Sequence, residues 1–496
     1  MRQLSSQDAV FFYADNPHAN GNVTLLHIYD QSTAPGGVVR FKSILAHIES
    51  RLEQLPILRQ RVKQAPLGLD RPYWVEDEDF NLEYHVRHIA LPKPGDWRQF
   101  CIQASRIHAR PLDLNRPLWE MYVIEGLDSF LDLPKGSFAL LLKIHHAAIE
   151  VEHGCEITEL LHDLTPDVRP PGPLEPWFPE APPNDLMLLA RAAVNTALFP
   201  FSRLWPMARA VAGLAPALFE RVMDGLRPND HAIVTRFNSV VSPHRVFDTR
   251  RFPMDEFAAV QNLARGATID DAAFAICGGA LRRYLDMQGE LPDISLTASI
   301  PTSLQAADPD GAHGFEWMHA RLGTDIDDPV ARLESIRDQM AAAKAAAVGD
   351  DFTDVARYAP APTISLTSKM LAYASAQLGR WAPAANCAIA HVPGPEHPLY
   401  LVGARMTYYS AILPIADGMG LVFALTRYDD KINLSFTGCY EQIPDPESFA
   451  QCMRDSFQEY LAIARARESA QKAAKKPAGK PVRKAPPRRK SVGKVA

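Results

Sequence analysis

Long apolar runs are missing from this chain of 496 residues. No segment approaches the ~20 uninterrupted apolar residues that a membrane-spanning helix needs. The best candidate, MLLARAAVNTALFPF, is broken by Arg191, Asn195 and Pro200. The opening stretch, MRQLSSQDAVFFYADN, holds no apolar block of the length a secretory signal requires. Cysteine is scarce as well. The six present (Cys101, Cys155, Cys277, Cys387, Cys439, Cys452) lie far apart, with no CxxC spacing. That argues against a disulfide framework or a zinc ribbon, and for reduced thiols in a cytoplasm.

What is present is ordinary soluble composition, 47% hydrophobic and 22% charged. At ~100–200 residues per domain, the length implies two large domains. The net charge of −6 hides an asymmetry. Lys472 to Lys494 holds ten Lys or Arg and no acid, which leaves −16 on the rest. This Pro/Ala/Lys-rich tail cannot bury apolar surface and is expected to be disordered. It is either a solvated extension or an attraction to a polyanion, anionic lipid headgroups or nucleic acid.

Along the chain, NVTLLHIYD reads as an apolar strand. FKSILAHIESRLEQLPILRQRV has helical spacing that stops near a proline. GSFALLLKIHH is an apolar run of the kind buried on both faces of a sheet, and GCEITELLHDL after it has helical period. PDVRPPGPLEPWFPEAPPND is the clearest linker, followed by helical stretches from Leu186 to Gly225. A second mixed region holds the helix DDAAFAICGGALRRYLDMQG, the strands ISLTASIP, MGLVFALTRYD and KINLSFTGCY, and a closing amphipathic helix, DPESFAQCMRDSFQEYLAIARAR. The division expected is 1–165, a linker and helical connection over 166–234, a second domain over 235–468, and the tail over 469–496.

KIHHAAIEVEHG, Lys143 to Gly154, places two histidines at a strand-to-helix turn, where side chains emerge from a rigid scaffold. Three readings compete. His145 and His146 can be satisfied turn histidines. His146 and Glu150, four apart, can share a helical face and bind metal with Glu152 and His153, although HExxH order is absent. Or one neutral imidazole can act as a base. With no serine nucleophile close by, a base here suits direct transfer, taking the proton of an acceptor hydroxyl as that hydroxyl attacks.

Further motifs point the same way. LSSQDAVFF, PLGLDRPYWVEDEDFNLEYHVRH, ARPLDLNRPLWEMYVIEGL, TRFNSVVSPHRVFD, HVPGPEHPLYLVGARM and PIADGMGL follow one another in order. In these the chain resembles the bacterial wax ester synthase/acyl-CoA:diacylglycerol acyltransferase family over nearly its whole length, up to the tail. The resemblance implies a mixed α/β fold, with two chloramphenicol-acetyltransferase-like domains facing each other across a tunnel. It implies acyl transfer from acyl-CoA to diacylglycerol or a long-chain alcohol, with acyl-CoA as substrate and no cofactor or metal. His146, second of the family's HHxxxDG histidines, is implied as the general base beside His145. Pro117, Leu118 and Trp119 (the PLW motif), Glu150 and Asp271 are implied as support. The implied location is peripheral, on an inner membrane or lipid inclusion reached through the basic tail, with no specific nucleic acid partner.

The chain departs from the family pattern at several landmarks. Glu150 and Val151 stand for the motif's Asp-Gly, and His153, usually serine, becomes a rival base. Gln305 replaces an arginine, Phe315 falls in a usual Gly-Asn pair, and His391 replaces an asparagine. The family's Asn-Asp pair is Asp270–Asp271. If the missing arginine was the partner of the motif carboxylate, Glu150 is left to turn elsewhere. Two readings follow: a working acyltransferase, or a catalytically impaired paralogue that binds lipid or acyl chains.

Overall fold

The computed structural model describes residues 1–127, 133–149, 154–168, 176–197, 233–303, 315–346, 369, 373 and 383–475. The helices expected beyond Ala197 and the tail beyond Lys475 lie outside those residues.

Among the described residues, two six-stranded mixed sheets form the frame. The first runs in the order Tyr400–Leu401, Ala404–Ile412, Asn22–Asp30, Ser137–His145, Trp119–Leu127, Val86–Ala90. Every residue of Ser137–His145 is buried, Lys143 included, as a largely apolar strand covered on both faces should be. The second sheet runs Phe315–Arg321, Thr297–Ser303, Cys387–Val392, Leu421–Tyr428, Lys431–Cys439, Arg245–Pro253. The second half of the chain thus lends two strands, Tyr400–Leu401 and Ala404–Ile412, to the first sheet.

The sheets meet through one apolar cluster. Val23, Leu25, Leu140 and Leu142 of the first sheet pack with Ala388, Ala390, Val422 and Ala424 of the second. The opposite face of the second sheet packs on the helices Ile269–Met287, Pro329–Ala346 and Pro446–Lys475. That arrangement is why Cys387 and Ile389 belong to one core while Ala388 and Ala390 belong to the other, as the alternation of a strand demands.

The 41–62 stretch divides. Its helix is Phe41–Arg51, Pro56 opens a 3-10 turn, and Gln60–Lys63 pairs with Tyr73–Glu76 in a small third sheet completed by Arg2–Gln3. The closing helix continues to Lys475, helped by an ion pair between Lys472 and Glu468 one turn apart.

Candidate active site

The site is built where the Ser137–His145 strand ends. Its two neighbours hold the end in place. The His145 N–H donates to the Leu118 carbonyl at 2.9 Å, and the His146 N–H donates to the Gly21 carbonyl at 2.8 Å. The chain then enters a 3-10 turn, His146–Ala148. Glu150, Val151 and His153 fall outside the described residues, as does Gln305.

His145 is fully buried and turned into the protein. Its Nδ1 accepts the Ala147 N–H at 3.1 Å, so a neutral ring carries its proton on Nε2. That Nε2 faces Asp15 Oδ2 at 3.4 Å, while Asp15 Oδ1 accepts the Gly21 N–H at 2.5 Å. The ring meets the edge of Phe12 with centroids 6.4 Å apart.

His146 stacks on Phe11, with centroids 4.0 Å apart and planes 25° from parallel. Its pKa is lowered to about 4, first by burial and then by His145, against a small upward push from its own backbone. The residue as a whole keeps some exposed surface, so the ring is enclosed while part of the residue reaches outward. At neutral pH this imidazole is uncharged and able to accept a proton.

Phe11 and Phe12 come from the helix Ser6–Ala14, started by Ser5, whose Oγ accepts the Asp8 N–H at 3.0 Å. Leu4, Ala9, Phe12 and Tyr13 pack with Val62, Trp74, Leu118 and Ala147. The LSSQDAVFF signature is therefore the platform under the histidine turn.

The PLW residues support the same turn from the strand beside it. Pro117 bridges to Arg61, and Leu118 is buried against the N-terminal helix while its carbonyl holds His145. Trp119 donates its indole N–H to the Leu58 carbonyl at 2.7 Å and stacks on His85. None of the three faces an open site; they fix strand position. Asp271 is elsewhere. It is buried at the start of the Ile269–Met287 helix, where Oδ2 accepts the Thr268 N–H at 2.7 Å in a capping box. Its neighbour Asp270 lies 3.3 Å from His391 Nδ1, so two departures from the family pattern, 121 positions apart, meet in space.

Among the described residues, no group of three or more His, Cys, Asp or Glu could hold a metal ion. The described cysteines, Cys101, Cys277, Cys387, Cys439 and Cys452, are buried and unpaired. Sequence reasoning passed over Phe11, Asp15 and Gly21. The available signal was an acid directly after the signature helix, followed six residues later by a glycine at the head of a strand.

The double-histidine turn thus closes a central strand of two linked mixed sheets. Residues 4–273 match the wax ester synthase/diacylglycerol acyltransferase catalytic domain, and residues 314–460 match the C-terminal domain of the same family. A Mycobacterium tuberculosis (strain CDC 1551) protein provisionally named diacylglycerol O-acyltransferase is 30% identical, covering 93% of this chain and 90% of its own. A second from that strain is 31% identical over 94% of this chain and 98% of its own. The wax ester synthase/diacylglycerol acyltransferase from Marinobacter aquaeolei VT8 superposes with a TM-score of 0.66 at 24% identity, covering 93% of this chain and 99% of that one. A trichothecene 15-O-acetyltransferase from Fusarium sporotrichioides shares the fold at TM-score 0.58 and 11% identity, covering 93% and 94%. The chain belongs to the wax ester synthase/diacylglycerol acyltransferase family and is an acyl-CoA-dependent O-acyltransferase.

Proposed function

We propose that the chain moves a fatty acyl group from acyl-CoA to the hydroxyl of diacylglycerol or a long-chain alcohol, with His146 as general base. The observation that carries this reading is the neutral, enclosed imidazole of His146, clamped at Gly21 and Phe11. An alcohol is far less acidic than an imidazolium, so the proton moves to His146 as the new C–O bond forms. The C–S bond of the thioester breaks, and the departing CoA sulfur takes the proton from His146. Purified protein supplied with palmitoyl-CoA and either diolein or hexadecanol should release CoA thiol and form ester in equal amounts. Thiol without ester would mean hydrolysis, and neither product would contradict the proposal.

Such acceptors dissolve in lipid, so we place the enzyme peripherally on an anionic membrane or lipid inclusion. Two features support this. The tail from Lys472 to Lys494 carries ten Lys or Arg and no acid, and Leu186, Met187 and Val194 of the helix Asp185–Ala197 are exposed. A basic segment and an apolar face together make the two-part attachment that stable peripheral binding needs. Co-sedimentation with anionic vesicles should fall after truncation at Gln471 and fall with added salt. Unchanged, salt-insensitive binding would rule the tail out as the anchor.

A further inference from the structure

We propose that Asp15 is a positioning residue for acyl transfer, acting through His145 and the Gly21 backbone to set where His146 stands. The inference rests on His146 being the base. Asp15 ends the signature helix, and its carboxylate divides between two partners. Oδ1 accepts the Gly21 N–H, and the carbonyl of that same Gly21 accepts the His146 N–H. Oδ2 faces His145 Nε2, a buried nitrogen with no hydrogen-bond partner among the described residues. One side chain therefore meets both supports of the turn.

Gly21 lies against both groups: a Cβ there would sit 3.4 Å from His145 Nε2 and 3.6 Å from Asp15 Oδ1, ordinary contact distances. The Asp15 side chain is only 10% exposed and His145 is fully buried, which keeps water from screening the carboxylate that faces the His145 Nε2. A carboxylate facing the Nε2 proton favours the tautomer whose Nδ1 accepts from Ala147, and that bond closes the turn carrying His146. Loss of the charge lets the turn relax, and an ångström of movement in a base costs on the order of 100-fold in rate.

The test compares Asp15→Asn, Asp15→Glu and His145→Ala, singly and with Asp15→Asn combined with His145→Ala, using palmitoyl-CoA and hexadecanol. Asp15→Asn keeps an oxygen for Gly21 and nearly the same shape. It should lower kcat about 10- to 100-fold with KM for acyl-CoA unchanged and the melting temperature close to wild type. Asp15→Glu should recover part of the rate. The double variant should be no worse than His145→Ala alone, because both lesions lie on one path. Nitrogen NMR of the His145 ring should show Nδ1 as the hydrogen-bond acceptor in wild type and a mixture of ring arrangements in Asp15→Asn, a readout that bulk stability would not move. Unchanged kcat in folded Asp15→Asn, a loss confined to KM, or an additive double variant would each overturn the proposal. Failure of the underlying reading would look different: His146→Ala would keep full activity.

Discussion

Phe11 covers one face of the His146 ring, and burial is the leading reason that ring titrates near 4 instead of near 6.5. Phe11→Ala opens that face to water and removes the desolvation that lowers the pKa. The acid limb of kcat/KM should then move upward, into the window between about 4 and 6.5, and kcat should fall about 10-fold as the ring loses its seat. A pH–rate profile checks this; an acid limb that stays put would mean Phe11 does not enclose the base. At this scale the histidine pair was legible because adjacent histidines after a buried run stand out in a sequence. Asp15 was not legible. Its link to His145 exists only because Asn22 pairs with His145 across the sheet, which brings the 15–21 connection beside the turn.

The elements around the site divide into those that hold it and those that hold the fold. Trp119 is fully buried, stacked on His85 and bonded to Leu58, so Trp119→Ala leaves both a cavity and an unpaired carbonyl. It should cost about 3–5 kcal/mol, read as a lower denaturant midpoint, and any loss of rate should track the unfolded fraction. Asp271 serves the helix it begins. Asp271→Ala should cost about 1 kcal/mol by removing one arm of a capping box, which lowers the melting temperature by a few degrees. A loss of rate far beyond the loss of folded protein would show that Asp271 does more than cap. Strand and helix types were readable from period alone for NVTLLHIYD, GSFALLLKIHH and the 270–289 helix. The small third sheet was not, because Gln60–Lys63 is only four residues long with Val62 alone apolar, too short for a period to declare itself.

Across the whole molecule, buried neutral histidines make the fold sensitive to acid. His27 is fully buried against the Leu140 carbonyl and Thr158, with its pKa lowered to about 4 by burial. His108 and His162 are lowered well below their ordinary value, again first by burial. The unfolded chain takes up protons at these rings below about pH 6.5, whereas the folded protein does so only far lower, so stability falls as pH drops through that window. His27 alone should cost on the order of 2 kcal/mol between pH 7 and 5. Thermal melts at pH 7 and 5 should therefore show a clear drop, lessened in His27→Gln. Activity lost near pH 5 in wild type should follow this unfolding instead of titration of His146. Strand order was beyond sequence reasoning, because nothing in local pattern says that Ala404–Ile412 leaves its own half to pair with Asn22–Asp30. Family resemblance implied two domains, and the second half lends the strands Tyr400–Leu401 and Ala404–Ile412 to the first sheet.

The central claim is that His146 accepts the proton of the attacking hydroxyl. The most direct measurement is single-turnover ester formation from palmitoyl-CoA and hexadecanol by His146→Ala and His153→Ala, alongside acyl-CoA affinity. The account predicts a ~100- to 10,000-fold loss for His146→Ala with affinity nearly intact, and little change for His153→Ala. Full activity in His146→Ala, with activity abolished in His153→Ala, would contradict it and assign the base to His153.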